Sequence, residues 1–214
     1  MANIITAGNS TNGGTAITTD TSGTLNIVTG SGSGATAVTV DGSGNMVVTG
    51  TLTASSGVTG SIARGTAVAS TSGTSIDFTS IPSGVKRITV MFNGVSLSGT
   101  SNQLIQIGAG SVTTSGYVGG AVAAGSAGTQ ATQTAGLQCG ITGSAALTST
   151  GQAVLTNITG NTWVMAFNGT RQTDGYGLIG SSSIALGGTL DRVRITTVNG
   201  TDTFDAGSIN ILFE

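Results

Sequence analysis

The chain of 214 residues has no histidine, one cysteine, one proline and only 7% charged residues. Each shortage excludes something. Without histidine there is no Ser-His-Asp or Cys-His arrangement and no histidine-based metal site. A single cysteine, Cys139 in Leu137-Gln138-Cys139-Gly140, cannot form an intrachain disulfide. With no histidine or neighbouring basic residue to ionise it, Cys139 reads as a small buried apolar residue rather than a nucleophile. The lone Pro82 and the absence of a G-X-Y period exclude collagen despite 37 glycines. Six basic against eight acidic residues give a net charge of −2 with no basic cluster, which argues against nucleic acid as a partner. Lys86-Arg87 and the Arg192/Arg194 pair read as solvated strand faces. Low charge also means weak repulsion between molecules, easier to understand if partners cover much of the surface. Gly, Ser and Thr break every apolar run short of the ~18 residues a spanning helix needs, so no membrane insertion is expected. The start, Met1-Ala2-Asn3-Ile4-Ile5, has neither a basic nor an apolar targeting region, so the expected place of synthesis is a cytoplasm, left only by lysis or another machine.

One further shortage divides the chain. Residues 1–63 hold no aromatic residue, no Lys and no Arg, whereas residues 64–214 hold all eight aromatics and all six basic residues. The first region is too poor in large side chains to bury a core that offsets its ordering entropy. It is therefore either disordered or ordered by neighbouring chains.

What is present is short-period alternation. In the first region Leu25/Ile27, Val38/Val40, Met46/Val48 and Leu52 stand beside turn sequences such as Asp41-Gly42 and the Gly-Ser run at 30–34, predicting strands of about five residues. Residues 54–75, mostly Ala, Ser, Thr and Gly, read as a hinge. Beyond them, period-two faces recur: Ile88, Val90 and Phe92; Ile105 and Ile107; Trp163, Met165 and Phe167; Ile184 and Leu186; Val193 and Ile195; Ile209, Ile211 and Phe213. Asn-Gly at 93–94, 168–169 and 199–200 predicts tight hairpin turns. No stretch keeps a 3.6-residue period. The expected fold is all-β: eight to ten antiparallel strands in a jelly-roll-like β-sandwich over residues 64–214, behind a thin β-rich stalk over residues 1–63.

Catalytic and metal signatures are tested and set aside. Asp202 and Asp205 are the closest acids, but Asp202-Thr203-Phe204-Asp205 reads as a turn between edge-like strands, bonding its own backbone, rather than a glycosidase pair. Asp41-Gly42-Ser43-Gly44-Asn45 has alternating side-chain oxygens like a calcium loop, yet only one carboxylate, and reads as an Asp-Gly turn. Residues 175–180 match G-x-G-x-x-G without a following helix, a coincidence in so glycine-rich a chain. The Asn-x-Ser/Thr triplets at Asn9, Asn157, Asn168 and Asn199 are equally expected by chance. Trp163 could stack on a sugar, but Met165 and Phe167 continue its face, so it reads as core. No catalytic residue, metal site or cofactor is expected, and no enzyme activity. The loop Arg171-Gln172-Thr173-Asp174-Gly175-Tyr176 alone combines a base, an acid, an amide and an aromatic ring. Its plain reading is a solvated loop; its functional reading is a polar-ligand site formed by Arg171, Gln172, Asp174 and Tyr176.

The segment from Val40 to Thr53, VDGSGNMVVTGTLT, resembles the V-D-x-x-G-N-x-x-V-x-G-x-L segments of bacteriophage fibre shafts. The ending from Leu190 to Glu214 looks like the last two strands of the β-sandwich head of many phage structural proteins. The two stretches cover about 40 residues, and neither is specific to one kind of appendage. The resemblance implies a homotrimeric virion fibre whose N-terminal region docks on other virion structural proteins and whose head faces outward, often toward host surface glycans. Virions assemble in the host cytoplasm and leave by lysis, which fits the absent signal. Independently, three chains sharing an axis would let the narrow apolar edges of residues 24–53 bury one another. Other classes remain. A capsid decoration protein would use the same head to cap capsomers. A depolymerase tailspike needs an acid cluster that eight scattered acids do not offer. A bacterial adhesin or other glycan-binding module needs export, and an ice-binding protein also needs a Thr-x-Thr lattice, which breaks here after one or two repeats.

Overall fold

The computed structural model describes residues 24–28, 36–49, 62–125, 129–139 and 143–214. Leu52, the Gly-Ser run at 30–34, residues 54–61 of the expected hinge and the Asn9 triplet lie outside them. The chain divides into two compact units, Met1–Thr59 and Gly60–Glu214.

The first unit contains an antiparallel sheet of three strands, β1 (Leu25–Val28), β2 (Thr36–Val40) and β3 (Met46–Val48), in that order. Its register sets Leu25 opposite Val40 and Val40 opposite Met46, then Ile27 opposite Val38 and Val38 opposite Val48. The apolar positions picked out by alternation therefore fall in rows across the strands. The β2–β3 loop shows why the Val-Asp-x-x-Gly-Asn pattern makes a hairpin. The Asp41 carboxylate accepts the amides of Ser43 and Asn45 at 2.9 Å, and the Asn45 side-chain amide donates to its other oxygen at 2.9 Å. Gly44 takes φ 81°, a left-handed conformation that an L side chain resists. Asp41 is thus occupied by its own loop, as a turn residue should be.

The second unit is a β-sandwich with no helix among the described residues. Its strands are β4 (Ala63–Arg64), β5 (Val68–Ala69), β6 (Ile76–Phe78), β7 (Arg87–Leu97), β8 (Gln103–Ala109), β9 (Ser111–Val112), β10 (Val118–Ala124), β11 (Thr129–Gln133), β12 (Leu137–Gln138), β13 (Ser149–Thr159), β14 (Thr162–Arg171), β15 (Gly177–Ala185), β16 (Arg192–Thr197) and β17 (Phe204–Phe213). The nine-stranded sheet runs β11-β10-β15-β14-β13-β7-β17, with β4 and β5 both on the outer side of β17. The five-stranded sheet runs β12-β8-β16-β6, with β9 against β8. Let β6, β7, β8, β10, β11, β12, the β13–β15 meander and β16 be eight successive elements. The smaller sheet is then ordered first, eighth, third, sixth and the larger second, seventh, fourth, fifth, which is jelly-roll order with a tripled seventh element and β17 added outside β7.

The period-two faces meet in one core. Ile88, Val90 and Phe92 of β7, Trp163, Met165 and Phe167 of β14 and Ile209 and Ile211 of β17 line the larger sheet, against Ile105 and Ile107 of β8 and Val193 and Ile195 of β16. Between β7 and β14 runs β13, whose inward positions Gly151 and Ala153 are small. The space they leave lets the rings of Phe92 and Phe167 meet edge to face, centroids 5.7 Å apart at 87°.

Five expectations are corrected. The second unit has fourteen described strands rather than eight to ten, the excess being the two-residue strands β4, β5, β9 and β12, too short to show a period. Asn168-Gly169 lies inside β14, paired on both sides, so it turns nothing. Asn93-Gly94 lies inside β7, where the registers with β13 and β17 both shift, and Gly94 at φ 61° forms a bulge. Asn199-Gly200 does turn the chain, with Gly200 at φ 67°, but it joins β16 to β17 in the other sheet and is not a hairpin. Part of the expected hinge also belongs to the sandwich: β4 and β5 pair with β17, and the fully buried Ser70 hydroxyl donates to the Ala206 carbonyl at 2.8 Å.

Candidate functional site

The loop singled out in the sequence is the β14–β15 turn. Arg171 ends β14, its amide donating to the Tyr176 carbonyl at 2.9 Å, and the Gly175 amide returns to the Arg171 carbonyl at 2.9 Å with Gly175 at φ 72°. The turn therefore closes on its own backbone and carries Arg171, Gln172, Asp174 and Tyr176 at one end of the sheet. The Arg171 guanidinium, largely buried, forks onto Asp174 through Nε at 3.2 Å and Nη2 at 2.6 Å. It also lies 4.5 Å from the centroid of the Tyr176 ring, a cation–π contact. The ring is half-buried against the core, and a Cβ at Gly125 would run into it. Gln172 accepts the Thr148 hydroxyl at 2.9 Å through Oε1. The structure brings the four residues together, but turns Arg171, Asp174 and one face of Tyr176 toward one another. Gln172, Thr173, Asp174 and Gly175 are exposed, and Tyr176 is half-buried.

The other sequence candidates resolve as structural parts. Trp163 is 3% exposed, in the core. Cys139 is buried, and burial pushes its thiol well above the usual range, away from nucleophilic use. Asp202 accepts the Asn199 side-chain amide at 2.7 Å and the Ser101 amide at 2.9 Å, and these bonds lower its carboxyl below the usual range. It is a turn residue, as expected, although the strands it joins are not edges: β16 lies between β8 and β6, and β17 between β7 and β4. The six residues of the G-x-G-x-x-G match run from the turn into β15. Arg192 and Arg194 are paired with Asp191 at 2.8 Å and Asp77 at 2.7 Å on the smaller sheet. Among the described residues no three His, Cys, Asp or Glu side chains lie close enough to hold a metal ion.

Sequence reasoning missed one feature that only the register reveals. Outward positions of five neighbouring strands form a row, Val154, Ala166, Ser181, Gly120 and Thr132 on β13, β14, β15, β10 and β11. Ile179 and Val122 pair in the next row on one side, and Ser183 and Val118 on the other. Gly120 and Ser181 of the middle row make the floor of a shallow trough of about 680 Å³, with Thr132 beside them. A side chain at Gly120 would strike the Ala131 carbonyl, which keeps the floor low. In the sequence these residues are scattered over more than sixty positions and look like filler. Compared with known protein families, curated proteins and solved structures, the chain gives no match.

Proposed function

We propose that the chain is the subunit of a homotrimeric bacteriophage virion fibre, with an attachment and shaft region over residues 1–63 and a projecting head over residues 64–214. The observation that carries this reading is an exposed apolar side chain in the row that crosses the three strands. Met46, which shares its row with Val40 and Leu25, is 60% exposed in the single chain. Strands of four, five and three residues are too short to enclose it by themselves. Three copies turning this face to a common axis would cover it, and the Asp41–Asn45 loop gives the shaft-like motif a physical reason to recur as a hairpin. A jelly-roll head agrees with the same reading.

In this role the protein acts through shape and association, not catalysis, and needs no cofactor. Its N-terminal region would bind other virion structural proteins, and its head would contact host surface polysaccharide. The exposed rim of the β14–β15 turn is the proposed contact, with trimeric avidity supplying what one weak site lacks. Assembly would occur in the host cytoplasm, with release by lysis. The test is antibody labelling of virions purified from a lysate. Label at projecting fibres supports the reading, label spread over the capsid shell favours a decoration protein instead, and protein found only free of particles overturns both.

A further inference from the structure

We infer that the outer face of the nine-stranded sheet, centred on β10, β15 and β14, is where the heads of neighbouring copies of this chain meet. The inference rests on the trimer reading above and names the surface it uses. Strands β10, β11, β13 and β15 contain no charged residue, and the single one in β14, Arg171, is buried. Charge resumes on this sheet only beyond β13, at Arg87, Asp205 and Arg64 and at Glu214 just after β17. The outer side of the five-stranded sheet is the opposite case, carrying the Asp77–Arg194 and Asp191–Arg192 pairs.

The uncharged face is also where apolar side chains stand out. Val118 and Ile179 are 72% and 52% exposed on either side of the Gly120–Ser181 floor. Five strands spaced ~4.8 Å apart and about eight residues long on average at ~3.3 Å per residue span roughly 650 Å². A standard interface takes about 800 Å² from each partner, so this face is of the size a stable self-contact needs. Its occupant is a second copy because an uncharged face suits another uncharged face. A charged partner would lose its hydration there and find no counter-charge. A low floor flanked by exposed Val and Ile offers both hole and knob to such a copy.

The test uses the purified full-length protein and maleimide labelling. Native Cys139 is a silent background because it is buried. Ile179→Cys and Val118→Cys probe the proposed face, and Val198→Cys, at an exposed apolar position outside that sheet, is the reference. All three positions are exposed in the single chain, so folding should survive substitution. The expected result is a native mass of three chains with labelling at 179 and 118 at least tenfold slower than at 198. Three chains with equal labelling rates would overturn this interface and leave the trimer standing. A native mass of one chain would overturn the trimer reading, and this inference with it.

Discussion

The phenol oxygen of Tyr117 lies 2.9 Å from the backbone nitrogen of Ile107 and accepts its N–H. Ile107 stands at a gap in the ladder along the outer side of β8. There β12 pairs only with Leu104 and Ile105, and β9 only with Gly108 and Ala109. The Tyr117 hydroxyl fills the gap, lying 2.9 Å from the Thr113 carbonyl and 3.2 Å from that of Ile107 as acceptors for its proton. A side chain thus does the work of a missing strand residue in a fully buried place.

Tyr117→Phe keeps the ring and leaves the Ile107 amide unsatisfied. The expected cost is about 1–3 kcal/mol, or a Tm lowered by roughly 2–4 °C per kcal/mol in a domain of this size. Thermal melting by circular dichroism measures it, and an unchanged Tm would mean that water replaces the hydroxyl.

Stability should be nearly flat from about pH 5 to 9, because no histidine titrates there. On the acid side, Asp191 is held below the usual carboxylate range chiefly by the Arg192 side chain, and Asp202 by the Asn199 amide. Carboxyls lowered in the fold contribute stability above their unfolded pKa and lose it as pH falls through the folded one, so Tm should decline below about pH 4. On the alkaline side, burial pushes Tyr117 up to about 12. A phenol raised in the fold contributes fully below about pH 10 and loses that contribution as pH rises toward 12, so a second decline belongs there. Melting across pH 3–11 for the native chain and Tyr117→Phe checks both limbs; the variant should have the shallower alkaline one.

The β14–β15 turn separates stability from recognition. Tyr176→Ala removes the ring from buried Arg171 and should lower stability by about 1–3 kcal/mol, so any loss of host adsorption in that variant is ambiguous. Gln172→Ala, at an exposed position, should leave Tm within about 2 °C. Its adsorption to host cells is therefore the clean reading of glycan contact: a drop supports the proposed rim, and no change moves the contact elsewhere on the head.

Alternation alone made the core legible. Ile88, Val90 and Phe92, or Trp163, Met165 and Phe167, need only the period of a strand to reveal an inward face, and all six are buried. Asp41-Gly42 was legible because its chemistry is local. The Asn-Gly pairs at 93–94 and 168–169 misled because a bulge and a strand interior can use the same residues, and what decides is the register with the neighbouring strands, which the dipeptide does not encode. The four-residue site was legible as a cluster, yet the inward turn of Arg171 onto Asp174 and Tyr176 depends on burial that local sequence does not encode. The uncharged trough was invisible for the same reason: Gly120 and Ser181 become neighbours only when β10 pairs with β15.

The most direct test of the fibre reading is the native mass of the purified full-length protein, by native mass spectrometry or light scattering. The account predicts a particle of three chains, three times the 20.6 kDa of one. A monodisperse particle of one chain, with Met46 left open to solvent, would contradict it.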